Sequence, residues 1–154
     1  LALLEAADAA GVPRMVDDAA LTIGRGARGR TWPLDALPPA GGDTFAGLDG
    51  VPTAVVTGSN GKTTTVRLIA ACAAEQGWTP GLCCTDGLYV AGELIEAGDY
   101  SGPVGARTVL RDRRVEAAAL ETARGGILRR GIAIDRADAA VVTNISSDHF
   151  GEYG

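Results

Sequence analysis

With 154 residues, 46% hydrophobic and 21% charged, the chain is long enough to bury a core and corresponds to one domain or a piece of one. Its net charge of −5 argues against general binding to nucleic acid or an anionic membrane, because phosphate-rich partners would be repelled except at a local basic site. No apolar run approaches the ~20 residues that cross a bilayer, and the first residues lack a signal-peptide pattern, so a cytoplasmic location is expected.

Leu1–Ala10 is apolar and alanine-rich enough for a helix, closed by Gly11-Val12-Pro13. Asp17–Gly50 is rich in Gly, Pro and Asp, with a short strand at Ala20–Ile23. Arg25, Arg28 and Arg30 stand among glycines there; they could bind an anion, but a solvated loop is the simpler reading. Residues 1–50 are therefore read as the end of a preceding region plus a linker, and residues 51–154 as the domain proper. The chain starts at Leu1 with its only methionine at Met15, and Glu152-Tyr153-Gly154 follows a polar cluster that reads as the start of a site, so a piece of a longer protein, truncated at its C-terminal side, is expected.

The next stretch organises the rest. Ala54–Thr57 reads as a buried strand, followed by Gly58-Ser59-Asn60-Gly61-Lys62-Thr63-Thr64 and then a helix whose face is marked by Val66, Ile69, Ala70 and Ala73, stopping near Gly77. Glycines let backbone N–H groups approach a polyphosphate, and the helix N-terminus adds unpaired donors and partial positive charge. In this pattern Lys62 would reach the β- and γ-phosphates and the Thr63 hydroxyl would hold Mg²⁺. The usual pattern has its first glycine where Val56 stands, and a chance glycine turn before a helix is the bland alternative. Against it, Lys62 is the only lysine among 14 basic residues.

Further along, Pro80–Thr85 reads as a strand ending at Asp86-Gly87, and Leu88–Val90 with Glu93–Ile95 alternate around Ala91-Gly92 as a hairpin. Gly98–Pro103 is a turn into a helix running to about Leu110, with Ser101 or Gly102 near the cap and Pro103 in the first turn. Glu116–Glu121 and Ala139–Asn144 are further strands with apolar cores. Cys72, Cys83 and Cys84 are odd in number and not spaced for zinc, so buried free thiols are expected. Strands alternating with helices imply an α/β fold, a P-loop NTPase-like three-layer sandwich with a mainly parallel sheet.

Such sheets bind ligands at the carboxyl ends of their strands, where Thr57, Glu121 and Asn144 lie. Glu121 closes an apolar strand, where a carboxylate needs solvent or a cation; it is either a Mg²⁺ ligand or an exposed strand-end residue. Arg124 could clamp a phosphate or carboxylate through its planar fork, or lie on the surface; Asp86 is the second candidate substrate contact. Arg129 and Arg130 are expected to be solvated. His149, the only histidine, follows a strand end beside Asp148 and is either structural or a metal neighbour, which would admit Mn²⁺ as an alternative to Mg²⁺.

The glycine loop, Glu121-Thr122-Ala123-Arg124-Gly125-Gly126 and the Asn144–His149 segment together resemble the central ATP-binding domain of the Mur ligase superfamily. Thr85-Asp86-Gly87, Glu96–Asp99 and Ser101-Gly102-Pro103 are similar to its cyanophycin-synthetase-like subgroup. The resemblance implies an ATP-dependent amide ligase that activates a carboxylate on a peptide-like substrate for attack by an amino acid or other amine. It implies that Lys62 and Thr63 hold ATP and the first metal, that Glu121 helps bind metal, and that His149 lies at a second metal. Gly58, Ser59, Asn60, Gly61, Thr64 and Asn144 are grouped with them as nucleotide contacts. It also implies a C-terminal domain beyond Gly154, without which the piece would be inactive. A downstream lysine seen in several family members has no counterpart here, since Lys62 has no second. A P-loop kinase or NTPase, and a nucleotide-binding module without turnover, are the alternatives.

Overall fold

A computed structural model describes residues 2–146. The chain opens with α1 (Ala2–Ala9), followed by the short strands β1 (Arg14–Val16), β2 (Ala20–Ile23) and β3 (Arg30–Pro33), which form an antiparallel sheet in that order. The expected strand at Ala20–Ile23 is thus the middle of three; its neighbours are hidden in the sequence because each is brief and bounded by turn residues. Asp17 makes the β1–β2 turn, its carboxylate accepting the N–H groups of Ala19 and Ala20 at 3.0 Å. Leu21 and Ile23 pack against Leu3 and Ala7 of α1 in a small core.

Arg25 is the first correction: it is 3% exposed, not solvated. Its guanidinium donates to the Arg136 carbonyl at 2.8 Å and to Asp135 at 3.1 Å. The glycines around it serve close approach. Ala27 donates its N–H to Val115 O at 2.7 Å, and a Cβ on Gly26, whose φ is +55°, would come within 2.2 Å of that same oxygen. Arg28 and Arg30 are exposed as expected, one paired with Asp49 and the other lying over the Trp32 ring.

The second sheet contains β4 (Thr53–Thr57), β5 (Pro80–Cys84), β6 (Gly87–Val90), β7 (Glu93–Ala97), β8 (Ala117–Glu121) and β9 (Ala139–Val142), ordered β7-β6-β5-β8-β4-β9. β5, β8, β4 and β9 run parallel, while β6 and β7 are the expected hairpin, added antiparallel to the edge of β5. Three helices accompany it: α2 (Lys62–Glu75), α3 (Pro103–Arg111) and the short α4 (Arg124–Arg130). Side chains alternate across the sheet. Leu82, Cys84 and Ala119 meet Val66 and Ala70 of α2, whereas Cys83, Ala118 and Leu120 meet Ala106, Val109 and Leu110 of α3. The result is the three-layer α/β sandwich with a mostly parallel sheet.

Three local expectations change. Cys72 is exposed, because α2 buries the face carrying Val66, Ala70 and Ala73 and Cys72 points away from it; Cys83 and Cys84 are buried, and burial raises the Cys83 thiol to about 12. β9 is an edge strand among the described residues and most of its side chains are exposed, although its apolar run reads as buried. The residues after Ala123 wind into α4, a helix whose two glycines masked it.

The two sheets are tied by Arg111, the last residue of α3. It donates to Asp17 at 2.7 Å and to the Thr22 hydroxyl at 2.9 Å, and Thr22 is wholly buried. The Arg111 hydrogen bond is the main reason that the Asp17 carboxyl falls to about 2 from its ordinary 3.8. A carboxyl depressed in the folded state stabilises the fold above its unfolded value, and that contribution disappears as pH falls through the folded one. Acid titration should therefore loosen this junction between about pH 4 and pH 2. Asp17→Asn is expected to lower stability at neutral pH and to flatten that part of the acid limb, read by unfolding followed over pH.

Candidate functional site

β4 ends at Thr57 and α2 begins at Lys62, so the glycine loop is a tight strand-to-helix turn with Gly61 in left-handed conformation at the N-cap, φ 82°. No side chain caps the helix start, and the first N–H groups of an α-helix have no intrahelical acceptor. Backbone donors left open in this way suit an anion. Lys62 folds over the loop, its ammonium donating to Gly58 O at 2.9 Å and Ser59 O at 3.1 Å. Thr64 is exposed in the same first turn.

The parallel register sets Val56 opposite both Glu121 and Val141, so β4, β8 and β9 end at one level. Glu121 is thereby brought under the loop: the Thr63 hydroxyl donates to its Oε2 at 2.8 Å. Since that hydroxyl has one proton, the contact of 3.1 Å between the Thr63 and Thr85 hydroxyls has Thr85 as donor. Glu121 is 0% exposed, and its other oxygen, Oε1, has no hydrogen-bond partner. The solvated strand-end alternative for Glu121 is excluded by that burial. Such an orphaned carboxylate oxygen is costly without a cation. A donor set of two hydroxyls and one carboxylate, all oxygen, fits a hard divalent ion such as Mg²⁺. Among the described residues no group of three or more His, Cys, Asp or Glu gathers into a metal cage.

From the other side, the end of β9 grips the loop. The Asn144 carbonyl accepts the Ser59 N–H, and the Asn144 side chain meets the backbone of Asn60 at 3.0 Å through both its oxygen and its nitrogen. The Thr143 hydroxyl donates to Asn60 O at 2.7 Å, and the Ser146 N–H donates to the Ser59 hydroxyl at 3.0 Å. A Cβ on Gly58, φ +133°, would lie 2.1 Å from the Thr143 hydroxyl oxygen, so no larger residue fits there.

The remaining candidates divide. Arg124 is exposed at the start of α4, just past Glu121 on the same rim. Asp86, also exposed, is held by Arg67 at 2.8 Å, and that guanidinium lies 5.6 Å from the Tyr89 ring centroid. His149 lies outside the described residues. Thr85 and Thr143 were missed as site residues; Thr85 directly follows β5, so the strand-end rule that singled out Glu121 would have found it. An apolar groove of about 280 Å³, lined by Pro52, Ala73, Trp78, Pro80 and Ala139, lies at the amino ends of the strands, away from this cluster.

A family model described as the Mur ligase middle domain matches residues 56–154, well over half of the chain. The chain belongs to this family. A cyanophycin synthetase of Synechocystis sp. is 48% identical to the chain over 118 residues, 77% of the chain and 13% of that protein. One from Geminocystis herdmanii is 50% identical over 101 residues, covering 66% and 12%. The chain thus spans only about an eighth of these relatives, 13% and 12% of their lengths. Among solved structures, a UDP-N-acetylmuramoyl-L-alanyl-D-glutamate–2,6-diaminopimelate ligase superposes with a TM-score of 0.60 at 25% identity, over 71% of this chain and 23% of that one. No helix among the described residues is long and apolar enough to cross a membrane.

Proposed function

We propose that this domain is the ATP-binding part of an ATP-dependent amide-bond ligase. In that reaction a substrate carboxylate oxygen attacks the γ-phosphorus and ADP leaves. The amine nitrogen then attacks the acyl carbon of the acyl phosphate, loses a proton, and expels phosphate. The observation that carries the nucleotide-and-metal part of the reading is the 2.8 Å bond from Thr63 to a carboxylate that is completely buried, while the ligase part is supported by the family and its cyanophycin synthetase relatives. A phosphate cradle alone has no need of such a group, whereas a metal–triphosphate site does.

The backbone donors at the start of α2 and the loop residues Gly58–Gly61 would receive the phosphates, with Lys62 turning from the loop carbonyls toward their charge. A carboxylate approaching an anionic γ-phosphate meets like-charge repulsion, and the Lys62 ammonium reduces it. Thr63 and Glu121 would hold Mg²⁺, with the Thr85 hydroxyl orienting that of Thr63. Bound there, Mg²⁺ supplies neutralisation of the charge on the phosphate oxygens. Arg124, on the same rim, would hold the substrate carboxylate through its fork, and Asp86 is the second proposed substrate contact. His149 is assigned to a second metal by the resemblance alone, and Mn²⁺ enters only with it. The amine site and the rest of the carboxylate pocket are assigned to parts of the protein outside this piece, which by itself should bind nucleotide weakly and not turn over.

The test is ADP release by the complete protein, with ATP, a panel of carboxylate-bearing peptide-like acceptors and a panel of amino acids. Release that needs both a carboxylate and an amine is expected. Release without any amine would replace this reading with a kinase or NTPase, and nucleotide binding without turnover would replace it with a regulatory module.

A further inference from the structure

The phosphate loop departs from the usual pattern at Val56, which is fully buried in β4 where that pattern has its first glycine. The turn is consequently short, and its shape needs support from elsewhere. We infer that Thr143 and Asn144, at the end of β9, are positioning residues that brace the Ser59–Asn60 segment so that the donors of the following helix turn face the phosphates. This rests on the nucleotide-binding half of the proposed function and gives Asn144 a different task from contacting the nucleotide.

The Asn144 amide holds the loop through both of its ends. Its Oδ1 accepts the Asn60 N–H at 3.0 Å and its Nδ2 donates to the Asn60 carbonyl at 3.0 Å. A backbone N–H only donates and a backbone carbonyl only accepts, so this pairing fixes which way the amide faces. The Asn144 carbonyl holds the neighbouring Ser59 N–H at 3.0 Å, and the Thr143 hydroxyl adds a second donor to Asn60 O at 2.7 Å. Gly58 allows this hydroxyl to sit against the loop, where a Cβ would collide with it. One residue of the loop is thus held through both backbone groups by a neighbouring strand. Fixing it before ATP arrives removes an ordering cost from binding, which is how a brace without ligand contact changes affinity.

The experiment measures equilibrium binding of a fluorescent ATP analogue to the complete protein, alongside ADP release at varied ATP and varied amine. Asn144→Ala should weaken ATP binding about tenfold and raise the KM for ATP in step, with the KM for the amine unchanged. Thr143→Val, which keeps the shape and removes the hydroxyl, should weaken ATP binding in the same direction, and Thr143→Ser should restore it. The pair at position 143 decides the matter if Asn144→Ala does not fold. Wild-type ATP affinity in Asn144→Ala and Thr143→Val overturns the brace, as does a Thr143→Ser protein that binds as weakly as Thr143→Val. A wild-type protein that binds ATP but needs no carboxylate or amine removes the ligase reading alone, and the same affinities still decide the brace.

Discussion

Lys62→Ala in the complete protein should reduce ATP-dependent product formation by about 10²–10³-fold while leaving the fold intact. The magnitude follows from charge. An ammonium ~4 Å from a phosphate charge gains ~4 kcal/mol at an effective dielectric of 20, and desolvation takes back part of it. Each ~1.4 kcal/mol is a factor of ten in rate. Stability should hold because Lys62 is half-buried and, among the described residues, its ammonium bonds only to the loop carbonyls of Gly58 and Ser59 and forms no ion pair with a carboxylate. Those two carbonyls can be reached by water once the side chain is gone. Product formation measured against the thermal midpoint checks both halves, and turnover near the wild-type rate would remove the loop from the mechanism.

Glu121→Gln should lower turnover about 10²-fold and raise the Mg²⁺ concentration needed for half-maximal rate, while leaving metal-free stability equal or higher. The opposite signs come from one feature. Glu121 is 0% exposed with Oε1 unpartnered, so in the absence of a cation it is an expensive group to bury. An amide of the same shape still accepts the Thr63 proton through its oxygen, and it buries no carboxylate. A purely structural Glu121 would behave the other way, with the amide losing stability and the Mg²⁺ dependence unmoved. Titration of Mg²⁺ in the kinetic assay, paired with unfolding in chelator, separates the two.

Much of the site could be read from residue order. The glycine turn between an apolar strand and the Val66–Ala70–Ala73 face announced both β4 and α2, because turn chemistry and helical period act over a few residues. Glu121 stood out as a carboxylate ending an apolar strand, and the Ala91-Gly92 hairpin was plain for the same local reason. Thr143 was not visible as a site residue, and Thr85 could be found only by its place just after β5. Each is an ordinary hydroxyl in its own neighbourhood, and its importance lies in the residue it meets 22 positions away for Thr85 and 83 for Thr143. Arg25 shows the converse error: a glycine-flanked arginine looks solvated, yet it is buried and hydrogen-bonded to Arg136 and Asp135, which lie 111 and 110 positions on.

The amino-acid order by itself determined the strands, turns and helices of the strongly patterned segments from β4 to α3, and that Lys62, Thr63 and Glu121 carry chemistry suited to phosphate and metal. It did so because dihedral preference, capping and periodicity are properties of a short window. Tertiary structure alone decided that β4 lies between β8 and β9, which places Glu121 on one side of the loop and the Thr143–Asn144 brace on the other. Strand order and register come from pairing and packing between distant segments, and no short window holds that information.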